Sequence, residues 1–210
     1  NVLRLAMTSR SGSAFSEIIP SIRFSVVRAA CVMLCPLSAS AINTGPGAPS
    51  AGLTAGATRT FNSVTRVDDR VAPFSSRGPS WYDGFAKPDF VAPGDNLLSI
   101  AATGSALRLA QEQRGNTGNY MRLSGTSMAA GVASGAVALV LHANRDLTPN
   151  AVKAILEFTA IPVLDDDGSR FNPLAQGAGQ IEVAGSLALA RAINPQAPVG
   201  APWLSTSLTP

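Results

Sequence analysis

The stretch LSGTSMAAGVASGAVALVL, residues 123–141, decides how the rest of the chain is interpreted. From Ala129 to Leu141, apolar and small residues recur at i, i+3, i+4 and i+7, which predicts an α-helix. Because few polar residues interrupt the pattern, we expect a core helix that is apolar on most of its faces and deeply buried. Ser127 lies where the preceding loop enters this helix.

Ser127 has two interpretations on the residues alone. A serine before a helix commonly caps it by accepting a hydrogen bond from a free N–H group. The same position also suits a nucleophile, because Gly125 permits a sharp turn and the helix N-terminus offers N–H groups and a positive dipole to an oxyanion. The motif is not the G-x-S-x-G elbow of the α/β-hydrolases, since Ala129 fills its last place.

Short apolar segments and helical periods alternate along the chain. LTAGAT (53–58) and NLLSI (96–100) are typical of short strands, whereas residues 101–122 are polar and contain the flexible-looking GNTGNY. Thr148 followed by Pro149 predicts the start of another helix, and residues 181–192 predict a last amphipathic one. This alternation favours an α/β fold with a mostly parallel sheet.

Composition excludes several classes of protein. Hydrophobic residues make up 46% of the chain and charged residues 14%, which fits a packed interior and argues against disorder. A net charge of +3 without a long Lys/Arg run predicts no nucleic-acid surface. No uninterrupted span of about 20 apolar residues is present, so we expect no membrane span.

No cofactor or metal site is identifiable from the sequence. Cys31 and Cys35 form C-x3-C without a second pair, and the single histidine, His142, is far away along the chain, so the pattern does not indicate zinc. The acidic run at Asp165–Asp167 is interpreted as a solvated turn rather than a calcium site.

Four blocks in order resemble the subtilisin-like serine proteases, or subtilases, and in particular their secreted bacterial members. The blocks are FSSRGPS (74–80), KPDFVAPG (87–94), LSGTSMAA (123–130) and GAGQIEVAGSLALA (177–190). The resemblance covers about residues 55–195. It implies the three-layer α/β fold of that family with a mostly parallel sheet, of which this chain would carry the C-terminal half. Residues 1–195 would then form a partial catalytic domain, and residues 196–210 a Pro-rich tail.

The resemblance also assigns roles to individual residues. Ser127 matches the catalytic serine, which implies peptide-bond hydrolysis of a polypeptide through an acyl-enzyme. Asn43, in AINTGPG, is the candidate side-chain donor of the oxyanion hole, although another alignment puts that loop about 15 residues earlier, where no asparagine stands. Asp89 matches a structural position, and Arg77 and Gly78 are interpreted as fold determinants. Secretion is implied by the resemblance alone, and calcium remains possible in an intact family member.

The base that would activate Ser127 is not found in the sequence. His142 lies fifteen residues further along the same predicted helix, which at 1.5 Å per residue is roughly 22 Å away. In subtilases the order is Asp, then His, then Ser, yet no histidine precedes Ser127 here and the first aspartate is Asp68. We therefore expect an incomplete triad, no peptidase activity from this chain alone, and a requirement for the N-terminal half.

The alternative is a non-catalytic remnant of a subtilase, such as a pseudogene product, with a structural or interaction role. Residues 8–40 are rich in Ser and Arg and lack the alanine- and valine-rich sequence that the family has at this place. We interpret them as strongly diverged or out of frame, with the family's sequence resuming near residue 43. If part of the sheet is missing, apolar sheet edges and one face of the central helix should be exposed.

Overall fold

The computed structural model describes residues 52–81, 84–115, 118–170 and 172–204. Its strands are β1 (Ala55–Arg59), β2 (Arg70–Val71), β3 (Phe90–Pro93), β4 (Leu97–Ile100) and β5 (Tyr120–Leu123). Its helices are α1 (Ala106–Gln113), α2 (Thr126–Ala143), α3 (Pro149–Phe158), α4 (Pro173–Gln176) and α5 (Val183–Ala192).

The central sheet has the order β2-β1-β3. Strands β1 and β3 are parallel, with Ala55 opposite Phe90 and Thr58 opposite Pro93, whereas the two-residue strand β2 runs antiparallel to β1. A further parallel bridge joins Val91 to Gln180 on the other side of β3. The parallel pair lies at the centre because its alanines and its phenylalanine are buried and carry no polar side chain that would need water.

Helices α2, α3 and α5 cover one face of this sheet. Helix α2 turns a stripe of small residues toward β1 and β3, and the stripe consists of Ala129, Ala133, Ala136, Val137 and Val140. These small side chains let the helix lie close to the alanines of the two strands. Helices α3 and α5 complete the layer and bury Ile155, Leu156 and Leu189 in the same core.

The opposite face of the sheet carries a second, smaller core. Val71 and Val91 project there and pack with Val163 and with Ala175 of α4. The described part of the chain is thus a sheet between a helical layer and a thinner layer built around residues 161–176. The mixed α/β fold that the sequence predicts is confirmed.

Most of the predicted elements are present. The strands in LTAGAT and NLLSI correspond to β1 and β4, and the helices beginning near Ser127, at Pro149 and near Ile181 correspond to α2, α3 and α5. Thr148 caps α3, because its side chain accepts a hydrogen bond from the N–H of Ala151, and Pro149 occupies the first helical turn.

Two expectations differ from the structure. The polar region 101–122 contains helix α1, which is capped by Ser105 and buries no residue, and strand β5, which pairs antiparallel with β4. Helix α2 is not buried on most faces: Gly131, Gly135 and Leu139 are exposed within the described part of the chain. By length and composition alone, α2 could cross a membrane, but core helices of soluble proteins meet the same two criteria.

Candidate active site

A contact between two glycines fixes the start of helix α2. The N–H of Gly125 donates to the carbonyl oxygen of Gly94, which follows β3, at 2.8 Å. A β-carbon at Gly94 would lie 2.8 Å from Cβ of Ala57 and 3.0 Å from Cβ of Ala129 and from the carbonyl oxygen of Gly125. Only glycine therefore allows the end of β3 to approach the helix this closely.

Gly125 also adopts a backbone conformation that side chains disfavour. Its φ is 154° and its ψ 158°, and it forms the N-cap of α2. Its carbonyl oxygen accepts from the N–H groups of Met128 and Ala129, so the helix begins directly after it. The sharp turn expected at this glycine is present, although a backbone contact rather than a side chain caps the helix.

A polar clamp holds the loop just before the helix. The hydroxyl of Ser124 donates to Asp95 at 2.7 Å and accepts from the N–H of Asn96 at 2.8 Å. Arg59, at the end of β1, pairs with the other carboxylate oxygen of Asp95. The hydrogen bonds from Ser124 and Arg59 lower the pKa of Asp95, so its charge persists at neutral pH and keeps the clamp closed.

Ser127 lies in the first turn of α2 and its side chain is exposed. It follows Gly125 by two residues, so the Gly94–Gly125 contact sets its position at the carboxyl end of β3. The first N–H groups of a helix have no partner within the helix, and the dipole there favours negative charge. The site therefore offers an accessible hydroxyl beside donors that could stabilise an oxyanion.

His142 cannot serve as the base for Ser127. The structure places it in the last turn of α2, and Ser127 in the first. An α-helix rises 1.5 Å per residue, so the two side chains are roughly 22 Å apart along one rigid helix. No other histidine occurs in the sequence.

Asp89 lies at the opposite end of the parallel strands from Ser127. It immediately precedes β3, whereas Gly94, which contacts the start of α2, immediately follows that strand. Five residues of extended chain span roughly 16 Å. A carboxylate at this distance cannot orient a base for Ser127.

The oxygens of Asp89 are also fully engaged by other groups. One oxygen accepts from the N–H and the hydroxyl of Thr54, at 2.6 and 2.8 Å. The other lies 2.8 Å from Nζ of Lys87 and 2.9 Å from Nζ of Lys153 in α3. Burial alone would raise the pKa of Asp89, but the hydrogen bonds from both lysines and from Thr54 lower it. This buried ion pair joins β1, β3 and α3.

The four sequence blocks meet in space around β3. The N–H of Gly78 donates to the carbonyl oxygens of Lys87 and Leu174. A β-carbon at Gly78 would lie 2.4 Å from the carbonyl oxygen of Lys87. A β-carbon at Gly177 would lie 2.3 Å from the carbonyl oxygens of Pro88 and Asp89. These blocks are therefore a single packing unit that supports β3 and, through Gly94, the start of α2.

The remaining predicted residues are placed as follows. Asn43 lies outside the described residues, as do Cys31 and Cys35. Asp165–Asp167 form an exposed turn: Asp165 and Asp167 accept backbone N–H groups, and Asp166 pairs with Arg70. Among residues 52–204 that the structure describes, no group of three or more His, Cys, Asp or Glu side chains could hold a metal ion.

Sequence reasoning missed two parts of this site. The role of Gly94 could have been suspected from the glycine that closes KPDFVAPG, but only the fold reveals Gly125 as its partner. The link between Asp89 and Lys153 joins residues 64 positions apart, and no local pattern connects them.

Comparison with known proteins supplies the context of the site. The sequence model of the Subtilase family matches residues 37–180. The serine protease AprX of Bacillus subtilis (strain 168) is 38% identical over 142 residues, which are 68% of this chain and 31% of AprX. The minor extracellular protease Vpr of the same organism is 32% identical over 146 residues, which are 68% of this chain and 17% of Vpr.

A solved structure agrees with the fold. The CspB protease of Clostridium perfringens superposes with a TM-score of 0.50 at 25% sequence identity, over 70% of this chain and 29% of CspB. This chain thus spans about a third or less of the length of these relatives.

Proposed function

The chain belongs to the subtilase family, and on that premise we propose that it is the nucleophile-bearing part of a serine endopeptidase domain, with Ser127 as the nucleophile. The substrate would be a polypeptide. The histidine and the aspartate of the triad would come from a polypeptide segment outside these 210 residues, and this chain by itself would be inactive.

The observation that carries the proposal is the position of Ser127. An exposed serine occupies the first turn of a long core helix. A glycine–glycine contact holds the start of this helix against the carboxyl end of a central parallel strand. A serine that served only as a cap would accept a hydrogen bond from the first turn, yet the N-cap is Gly125 and no side chain caps this helix. Ser127 therefore does not act as the cap of this helix.

In the proposed reaction, Oγ of Ser127 attacks the scissile carbonyl carbon while the incoming histidine takes the hydroxyl proton. The carbonyl oxygen becomes an oxyanion that the N–H of Ser127 and the helix dipole stabilise. The histidine then gives the proton to the leaving amine, and the C–N bond breaks to form an acyl-enzyme. Water, deprotonated by the same histidine, releases the acyl group and restores the serine. Asn43 remains the candidate second donor to the oxyanion.

A second candidate function is a non-catalytic subtilase remnant. The absence of any histidine before Ser127 favours it, because a chain that works alone would need a base. The genomic sequence upstream separates the two. An open frame that encodes an aspartate and then a histidine in the family's order supports the protease, whereas stop codons support the remnant. Sequencing the gene across residues 8–40 also tests whether that segment is out of frame.

The proposal is tested by joining residues 43–204 to the upstream half of a subtilase catalytic domain that carries the aspartate and the histidine. We expect this chimera to release p-nitrophenol from a peptidyl ester with an acyl-enzyme burst. Ser127→Ala should abolish the burst, whereas Ser134→Ala, two turns further along the same face of α2, should leave it. A folded chimera that shows no burst would overturn the proposed role of Ser127.

Secretion is part of the proposal and rests on relatives. The name of Vpr describes an extracellular protease, and we propose the same location for the protein to which this chain belongs. Fractionation of the source organism, with an antibody raised against residues 52–204, tests this. Signal confined to the cell interior would contradict it.

A further inference from the structure

A buried carboxyl group outside the candidate active site forms no ion pair with any of the described residues. Asp69 is 4% exposed, and its Oδ2 accepts from Nε2 of Gln180 at 2.8 Å. Gln180 is itself 6% exposed. The other oxygen of each side chain, Oδ1 of Asp69 and Oε1 of Gln180, is buried without a hydrogen-bond partner in the part of the chain that the structure describes. Two side chains in direct contact therefore each leave one acceptor unsatisfied.

The surrounding charges do not neutralise Asp69. Arg66 donates to the carbonyl oxygen of Ile181 and pairs with Glu182. Neither contact involves the carboxyl group of Asp69.

Arg70 likewise forms its contacts with groups other than the carboxyl group of Asp69. Arg70 pairs with Asp166 and donates to the carbonyl oxygens of Val67 and Asp69. Burial raises the pKa of Asp69, and the nearby carboxylate of Asp68 adds to the rise. The Gln180 hydrogen bond and the two arginines offset only part of it.

A single proton shared between the two orphaned oxygens would satisfy both. If Oδ1 of Asp69 carries a proton, this O–H can donate to Oε1 of Gln180 while Nε2 of Gln180 donates to Oδ2. The result is a cyclic acid–amide pair with two hydrogen bonds. A bound metal ion fits less well, because no group of three or more ligating side chains exists among the described residues and Gln180 is neutral.

We propose that Asp69 is the neutral acid in the folded chain and forms a cyclic acid–amide pair with Gln180 that locks two segments together. Asp69 lies just before β2, while Gln180 bridges Val91 of β3 and Ile161. The pair thus ties the loop before β2 to the far side of β3. Loss of the proton leaves an anion facing the amide oxygen of Gln180, and the loop loosens.

The sign of the pH dependence follows. A carboxyl whose pKa is higher in the folded than in the unfolded chain binds more protons when folded. Its contribution is therefore fully present below the ordinary aspartate pKa and is lost as the pH rises through the folded value. This is opposite to the behaviour of an ion-paired aspartate such as Asp89, so the two groups can be told apart in one titration.

The test is a carbon-13 NMR titration of the 210-residue chain labelled at aspartate carboxyl groups, with Asp69→Asn used to assign the resonance. We expect Asp69 to remain at the chemical shift of a protonated carboxyl while the exposed aspartates titrate, and to change only at higher pH. Titration of Asp69 together with the exposed aspartates would overturn the proposal. So would a change in its resonance when tetramethylammonium is exchanged for sodium or potassium at fixed ionic strength, because that would indicate a bound cation in place of the proton.

Variants give an independent readout. Asp69→Asn can keep both hydrogen bonds without a titratable proton, so its melting temperature should match or exceed that of the parent, and the difference should grow as the pH rises. Asp68→Asn is the matched control: it makes the same substitution one residue away and, because the Asp68 carboxylate raises the pKa of Asp69, should shift the Asp69 titration to lower pH. An Asp69→Asn chain that melts several degrees lower at every pH would contradict the acid–amide pair.

Discussion

Replacing Asp89 by asparagine keeps the shape of the side chain but removes the charge that four donors share. Asparagine has one acceptor oxygen, so either the two lysines or the two donors of Thr54 would face an amide NH2 group. Lys87 has a side chain only 5% exposed and would become a buried cation without its counter-ion. Breaking a buried ion pair in this way costs about 3–5 kcal/mol.

That loss is large against the total stability of a domain, which is about 5–15 kcal/mol. For a chain of this size it corresponds to a fall in melting temperature of roughly 6–20 °C. Urea denaturation followed by circular dichroism measures it. Asp166→Asn is the matched control, because that carboxylate is 92% exposed and its pair with Arg70 should contribute no more than about 1 kcal/mol. Equal effects of the two substitutions would refute the reasoning.

The same cluster sets the response to pH. Because the pKa of Asp89 is lower in the folded chain, its contribution is present above the ordinary aspartate pKa and is lost as the pH falls through the folded value. The pKa of Lys153 is raised: burial alone would lower it, but the hydrogen bond and charge of Asp89 outweigh burial. Its contribution is therefore lost only as the pH rises through that raised value. Asp89→Asn should flatten the acid limb of a stability-against-pH curve, and an unchanged limb would count against the ion pair.

Three smaller predictions concern packing and capping, each measured by urea denaturation. Gly94→Ala should cost about 2–3 kcal/mol, because its β-carbon meets three atoms at 3.0 Å or less, whereas Gly135→Ala, with open space around it, should gain about 0.5–1 kcal/mol. Equal stability of these two variants would contradict the close approach. Thr148→Ala should cost about 1 kcal/mol by removing the cap of α3, and no measurable loss would refute the cap. Thr58→Val should be neutral or stabilising by up to about 1 kcal/mol, since its buried hydroxyl has no hydrogen-bond partner among the residues described; a loss above about 1 kcal/mol would contradict this.

The sequence predicts those elements whose signals are local. Helix α2 follows from its apolar period, and α3 from Thr148 and Pro149, because periodicity and capping depend on neighbours within a few residues. Helix α1 was missed because it buries no residue, so no core-facing pattern reveals it. The prediction that α2 is deeply buried on most faces is wrong at Gly131 and Gly135, since periodicity identifies an apolar helix but not what covers each face.

The candidate site was predictable only in part. The place of Ser127 at the start of a helix follows from the local sequence, and its distance to His142 follows from helix geometry alone, whereas its role as nucleophile stays a prediction. The engagement of Asp89 by Lys153 and the approach of Gly94 to Gly125 depend on contacts between distant segments, which one sequence does not encode in any local pattern. The role of Asn43 stays a prediction.

The most direct test of the account is phosphonylation of Ser127 by a fluorophosphonate probe, located by mass spectrometry. The 210-residue chain alone should remain unlabelled, because the serine lacks a base, whereas the chimera with an upstream subtilase half should be labelled at Ser127 and lose labelling in Ser127→Ala. Labelling of the folded chain alone at Ser127 would contradict the account by showing that the base lies within it, and labelling of the chimera at another serine would contradict the assignment of the nucleophile.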